Sequence, residues 1–504
     1  MARTLTTGAP WRVIIVFAVP LLIGNVVQQL YQVADAIVVG RHLGVDSLAA
    51  VGATGSLLFL LLGFAWGVTS GFAIPTAQAF GARDHAAVRR SVAIGTLLTG
   101  AMSVVLTLVA PLLAGPALQL MQTPEELLPE ATVFTQVSFL GSAAIMFFNF
   151  LSAVIRSVGD SRTPLVFLTL ACALNVGLVV VMVGVLEWGV AGAALATVVA
   201  QAASVLLCLE YVRRRLPMLH VRREDWRFSR AELAEHLRVG LPMGFQASII
   251  AIGTLTVQVA LNELGAGAVA AYTTASRVDS LAVALLQSIG LAVSMFAAQN
   301  LGGRRPDRIR RGVVQAIWIS IVAGAVLGAL LIAFGADLVR LFVGEGSDAV
   351  VADAATMLAV NGFLYWSLGV LFVLRGALQG LGHTLVPTLT GIVELVMRVV
   401  AAIALGAVFG FVGVVWSNPL AWLGAVALLI PAYIREHRRL GLMRVEPRTA
   451  TPTTPIPVVG PVDGSMTVDA VVTGAIPVQA PVDAVRSARR RRSARAAGQR
   501  SKSR

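Results

Sequence analysis

The sequence predicts an all-α polytopic membrane protein: twelve transmembrane helices in two pseudo-symmetric six-helix lobes, followed by a disordered basic tail. Three observations carry this reading: apolar runs long enough to span a bilayer, arginines confined to alternate loops, and an internal repeat at a nearly constant offset. The 504-residue chain is 57% hydrophobic and 13% charged, with a mean hydropathy of +0.81. Soluble domains carry about 25% charged residues, so most of these side chains never meet water. Cys172 and Cys208 both fall inside apolar runs, where they read as small buried hydrophobes and not as a disulfide or metal framework. The first apolar run lacks a small-residue cleavage site and reads as a retained span, not a signal peptide.

Apolar runs between polar breaks place the spans at 13–39, 48–78, 91–115, 131–156, 164–184, 189–211, 239–262, 268–299, 312–335, 355–380, 386–408 and 411–434. Several exceed the roughly 20 residues that a bilayer core requires, so they should tilt, kink or protrude. The loops test the count. Arg83, Arg89 and Arg90 follow the second span, Arg162 the fourth, Arg213 to Arg215 with Arg222, Arg223, Arg227 and Arg230 the sixth. Arg304, Arg305, Arg308, Arg310 and Arg311 follow the eighth, and Arg435, Arg438 and Arg439 the twelfth. The other loops hold Glu125, Glu126, Glu130, Glu187, Glu263, Glu345, Asp348 and Asp353, with Arg41 the main exception. Arginine marks the cytoplasmic side, so both termini are expected in the cytoplasm of a multi-pass protein of the plasma (inner cell) membrane.

The repeat is visible in the stretch "AQAFGARD" at Gln78 and Gly81, answered by "AQNLGGRR" at Gln299 and Gly302. Gly44 meets Gly265 and Arg89–Arg90 meets Arg310–Arg311 at the same offset, while Pro20 answers Pro242 and Pro164 answers Pro387. An even number of spans per copy gives parallel repeats, a transporter architecture with its site between the halves. The domains are therefore an N-terminal lobe (1–211), a cytoplasmic linker (212–238), a C-terminal lobe (239–440) and a tail (441–504). The linker's "SRAELAEHLR" predicts a short amphipathic helix capped by Ser229, either at the membrane interface or a plain connection. From Pro447 the composition turns to Thr, Pro, Val and Ala and then to Arg, which predicts disorder. Nine of the positive charges, eight Arg and Lys502, lie between Val485 and Arg504. They either meet anionic lipid headgroups or stay solvated. This concentration of charge in the tail argues against a nucleic-acid-binding fold.

Enzyme templates are absent. There is no P-loop, no Walker lysine and no Cys/His metal spacing, so neither ATP hydrolysis, a metal nor a cofactor is expected. The candidates that remain are polar groups inside apolar spans, which cost several kcal/mol if they face lipid. Asp35 is the sharpest of these. It shares one helix face with Gln28 and Tyr31, beside Gln32 and downstream of Pro20, and is either an ion-coupling carboxylate or a structural contact near the outer interface. Glu394 and Arg398 stand four apart and are expected to pair, either locking the packing or serving gating. Arg277 and Asp279 are two apart and need separate partners or water. Asn149, Asn175, Gln246 and Gln287 could line a cavity or bond between helices.

Several stretches resemble the multidrug and toxic compound extrusion (MATE) transporters, particularly their DinF-like branch. They are "YQVADAIVVGRHLGVDSLAAVG", "AQAFGARD", "RSVGDSRTP", "GVAGAALATVVAQ", "GLPMGFQASIIAIG" and "RVDSLAVALLQSIGLAVSMFAAQNLG". The resemblance covers about 10–440 and implies two lobes arranged as a V, with export by alternating access coupled to H⁺ or Na⁺. It also implies that Asp35, Asn175 and Thr197 belong to a polar, ion-coupling cluster in the N-terminal lobe; from the polar residues themselves, Gln28, Tyr31, Gln32, Asn149, Gln246, Asp279 and Gln287 are expected around a substrate cavity. Relatives often show an Asp four residues after this Asn; here the residue is Val179, which leaves Asp35 as the main carboxylate. The expected activity is cation-coupled export of small amphiphilic or cationic organic compounds by a monomer. A flippase for a lipid-linked precursor, or a membrane scaffold or receptor subunit, are the rival readings.

Overall fold

A computed structural model describes residues 4–343 and 348–443. The predicted tail, from residue 444 on, lies outside the described residues. The chain begins with α1 (Pro10–Leu43), α2 (Val45–Gly81) and α3 (His85–Leu120), followed by α4 (Leu128–Leu140), α5 (Ser142–Ser157), α6 (Arg162–Val179) and α7 (Gly189–Arg215). The second half holds α8 (Arg230–Leu264), α9 (Ala266–Gly302), α10 (Pro306–Val343), α11 (Asp348–Gly380), α12 (Leu385–Val415) and α13 (Ser417–Leu442). Among the described residues eleven helices are long and apolar enough to cross a membrane, and α4 with α5 makes a twelfth span.

Three expectations need correction. The fourth span is not one helix: α4 and α5 are bent by 49° at Gly141, where a Cβ would lie 2.0 Å from the Val198 side chain of α7. The helix thus breaks where its backbone is pressed against its neighbour. The fifth span ends in a π-helical turn, Val180–Val185, so α6 does not run on as a regular α-helix. The linker helix is not separate either. Ser229 caps it through Glu232, as the capping box predicts, but the helix continues unbroken into the seventh span as α8. Arg89–Asp225 and Arg90–Glu232 ion pairs, both at 3.0 Å, fasten this region to α3.

The repeat is visible in the backbone. Gly44 and Gly265, equivalent positions, both have strongly positive φ (94° and 96°) and make the one-residue turns α1–α2 and α8–α9. Any other residue would be strained there. Contacts between the lobes pair α2 with α8 and, by the same symmetry, α9 with α1, while α2 and α9 cross near the axis. At that crossing a Cβ on Gly81 would sit 1.9 Å from the Gln299 carbonyl oxygen, and one on Gly302 would sit 1.8 Å from that of Gln78. The two glutamines exchange lobes. Gln78 donates to the Gly380 carbonyl at 3.0 Å, and Gln299 donates to the equivalent carbonyl, Ser157, at 2.7 Å.

The first residues strengthen this closure. The Leu5 amide donates to Gln299 at 2.8 Å, its carbonyl accepts from Asn300, and Arg308 donates to the Gly8 carbonyl at 2.7 Å. Arg310 of α10 meets His437 of α13 at 3.1 Å, so both ends of the helical body lie on this closed face. Further along, α2 and α8 stay in contact as far as the Ser248–Leu60 bond, and α1 and α9 as far as Gln29–Ser280 at 3.2 Å. Beyond these points Gly52, Gly55 and Gly267 have no neighbour within 4 Å of a Cβ position. The lobes are joined at the terminus-bearing face and part toward the other, as a V.

Candidate functional site

In the N-terminal lobe Thr197 of α7 is the hub. Its hydroxyl donates to the Ala193 carbonyl at 3.3 Å, so its oxygen accepts from Asn175 Nδ2 at 3.1 Å and from the Tyr31 hydroxyl at 2.9 Å. Three of the predicted residues, on α1, α6 and α7, are thus brought together. Asp35 lies one turn past Tyr31 on the stripe of α1 that faces α6 and α7. One turn further, Val39 packs in a buried apolar cluster with Val179 and Val183. Asp35 therefore has a hydrogen-bonded hub on one side and an apolar plug on the other, and Val179 belongs to the plug.

Asp35 Oδ1 and Asn175 Oδ1 are both buried without a hydrogen-bond partner, as is Gln201 Oε1 one turn along α7 from Thr197. Buried acceptors normally find donors, so these oxygens have capacity left for a donor or a hard cation, and the Asp35 carboxylate for a proton. Sequence reasoning missed Gln201. Its signal was a lone glutamine in the apolar run "ATVVAQAAS".

The predicted cavity residues divide. Gln28 and Gln32 are exposed on α1, where Asn25 and Gln29 donate to Ser288 and Ser280 of α9, each at 3.2 Å. Asn149 of α5 and Gln287 of α9 are half-buried. Gln246 is not a cavity residue. It is buried, donates to the Pro387 carbonyl at 3.0 Å and accepts from Gln379 at 2.9 Å, because α8 packs against α11 and α12 there. Asp279 is also turned away from the cleft. It accepts from the buried Tyr365 hydroxyl at 2.6 Å and from Asn361 at 2.9 Å, both on α11.

The expected Glu394–Arg398 pair is corrected as well. Glu394 makes its ion pair with Arg375 of α11, and both are buried. Arg375 also reaches Thr390 at 3.5 Å. Four-residue spacing makes Glu394 and Arg398 neighbours on one helix face, but the rotation of α12 against α11 gives Glu394 a better-placed partner. Arg398 is buried with its Nε unbonded, its guanidinium close against Gly253 of α8. Arg375 was visible in the sequence as a single charge in "LFVLRGALQG".

The MatE family model matches twice, over residues 20–181 and 242–404, once in each lobe. The chain is 30% identical over 389 residues to the probable multidrug resistance protein YoeA of Bacillus subtilis (strain 168), a match covering 76% of this chain and 84% of that protein. It is 23% identical over 428 residues to the multidrug export protein MepA of Staphylococcus saprophyticus, covering 84% and 93%. Among solved structures, an outward-facing conformation of a multidrug resistance MATE family transporter of the MOP superfamily superposes with a TM-score of 0.80 at 24% identity, over 87% of this chain and 98% of that one. A MATE in complex with MaL6 gives 0.80 at 22% identity, over the same shares.

Proposed function

The chain belongs to the MatE family of membrane transporters, and we propose that it is a secondary active exporter of small amphiphilic or cationic organic compounds, driven by H⁺ or Na⁺ and working by alternating access. The observation that carries the ion-coupling reading is the buried, unpartnered Asp35 oxygen beside the Tyr31–Thr197–Asn175 hub. Protonation of Asp35, or a sodium ion held by Asp35 and the amide oxygen of Asn175, removes an uncompensated buried charge and favours one arrangement of α1 against α6 and α7. Substrate favours the other. Coupling consists of that difference in affinity between states. Supporting the same reading, the lobes part on one face only, and the open cleft is bordered by the exposed Gln28 and Gln32. The arginine-rich loops at the closed face support a cytoplasmic position for that face and for both termini; in that orientation the cleft opens outward.

The test is efflux from proteoliposomes with H⁺ and Na⁺ gradients imposed separately. Asp35→Asn keeps the size and hydrogen bonding and removes the charge. It is expected to insert stably and to lose gradient-driven export at least tenfold. Normal export from this variant would end the assignment of Asp35.

A further inference from the structure

Outside the coupling cluster, a cavity of about 720 Å³ lies between the end of α8 and the first three turns of α9. Its walls include Asn262, Val269, Ala270, Thr273, Thr274 and Arg277. Residues 266, 270, 273 and 277 form one stripe of α9, and the same stripe continues to Ser280, where Gln29 of α1 binds. The cavity therefore sits directly above the last contact between α1 and α9, on the C-lobe wall of the open cleft. On α1, the exposed Gln32 continues the Asn25–Gln29 stripe by one turn.

Among the described residues the charge on this wall is uncompensated. Arg277 is exposed to the cavity and makes no ion pair or hydrogen bond through its side chain among the described residues. Asp279 is held by Tyr365 and Asn361 on the far side of α9. Asp35 lies on the stripe of α1 that faces α6 and α7. Glu263, beside Asn262, is exposed at the rim and pairs with nothing among the described residues. Arg277 is about 16 Å along α9 from Ala266, at ~1.5 Å per residue. An ionised side chain on a spanning helix that faces a cavity is a candidate for a pathway or a ligand. A guanidinium offers a planar fork of donors matched to a carboxylate, phosphate or sulfonate, and the Thr273 and Thr274 hydroxyls can add donors, with apolar Val269 and Ala270 beside them.

We propose that this cavity is an anion-recognising part of the transport cleft, with Arg277 binding a carboxylate or similar group on an otherwise apolar substrate. The inference rests on the exporter reading for the word transport, and narrows it: the compounds best recognised are amphiphilic anions or zwitterions, and a compound with a cationic group alone is recognised less well. Gln32 and the neutral α1 wall are compatible with the remainder of a zwitterion.

The experiment uses the full chain in detergent and two matched probes, rhodamine B, which carries a free carboxylate, and its ethyl ester, which does not. Binding is followed by fluorescence anisotropy, and gradient-driven efflux by the same dyes in proteoliposomes. The wild type is expected to bind the acid about tenfold more tightly than the ester. Arg277→Gln should remove that preference, weakening binding of the acid and leaving that of the cationic ester unchanged or stronger, and Arg277→Lys should restore part of it. Equal affinity in the wild type, tighter binding of the ester, binding of neither dye, or a preference that survives Arg277→Gln would each overturn the proposal. The wild-type comparison decides even if a variant fails to fold. A preference in binding with no efflux of either dye under any gradient would leave the anion site standing and remove the exporter reading.

Discussion

The buried charges of the C-terminal lobe set the terms for any substitution there. Arg375 and Glu394 are each almost fully buried and answer one another. Removing one partner strands the other, which typically costs about 3–5 kcal/mol. Glu394→Gln and Arg375→Met are each expected to lower stability by about that amount, and the double variant to lose clearly less than their sum, a coupling of about 1–3 kcal/mol. Unfolding in detergent measures all three. The pair Glu394 and Arg398 should show a smaller coupling in the same assay; a larger one would mean that the four-residue spacing, and not the contact between helices, decides the partner. The sequence displayed every one of these charges, but which acid meets which base depends on the rotation of α12 against α11, and that is a property of packing that one-dimensional spacing does not contain. Asp35 was more legible because its stripe, Tyr31 before and Val39 after, follows from helix geometry alone.

At the scale of helices, the crossing of α2 and α9 depends on the absence of side chains. A Cβ at Gly302 would fall 1.8 Å from the Gln78 carbonyl oxygen, so Gly302→Ala must push the helices apart. Overpacking of this kind costs about 1–3 kcal/mol, a shift of about 5- to 160-fold away from the closed crossing. Spin labels on the ends of α2 and α9 should report longer distances in the variant, and Gly81→Ala should do the same through the Gln299 carbonyl. An unchanged distance would mean that this crossing does not hold the closure. The repeat had singled out Gln78, Gly81, Gln299 and Gly302 without saying what they did, since their role exists only where the two copies meet. Span existence was legible throughout, because length and hydropathy decide it. The bend at Gly141 was not, because the pressure of Val198 on that backbone comes from a helix some sixty residues later. The join of the linker to α8 was hidden for another reason. Polar residues from Ser229 to Arg238 read as the end of an apolar run, yet a helix can cross from water into lipid without breaking.

For the molecule as a whole, the arginine-rich loops and the closed face coincide, and this makes topology testable in a simple way. A reporter fused after Leu440 should be active only on the cytoplasmic side; activity on the outer side would reverse the assignment and with it the direction in which the cleft faces. Removing 447–504 should leave insertion and export within about twofold of the intact chain, since that composition offers no apolar face to pack. Loss of folded protein on truncation would assign the tail a structural part. The crossing of α2 and α9 has one more consequence, electrical in nature. A barrier made of main chain against main chain, bonded to Leu5 and flanked by two glutamine amides already committed to carbonyls, offers little to a file of water molecules. A membrane that stores energy as a voltage can tolerate many copies of such a protein, because in this state each one is an insulator. Widening the crossing by a single methyl group would therefore be expected to make itself known first as a proton leak, before any compound is moved.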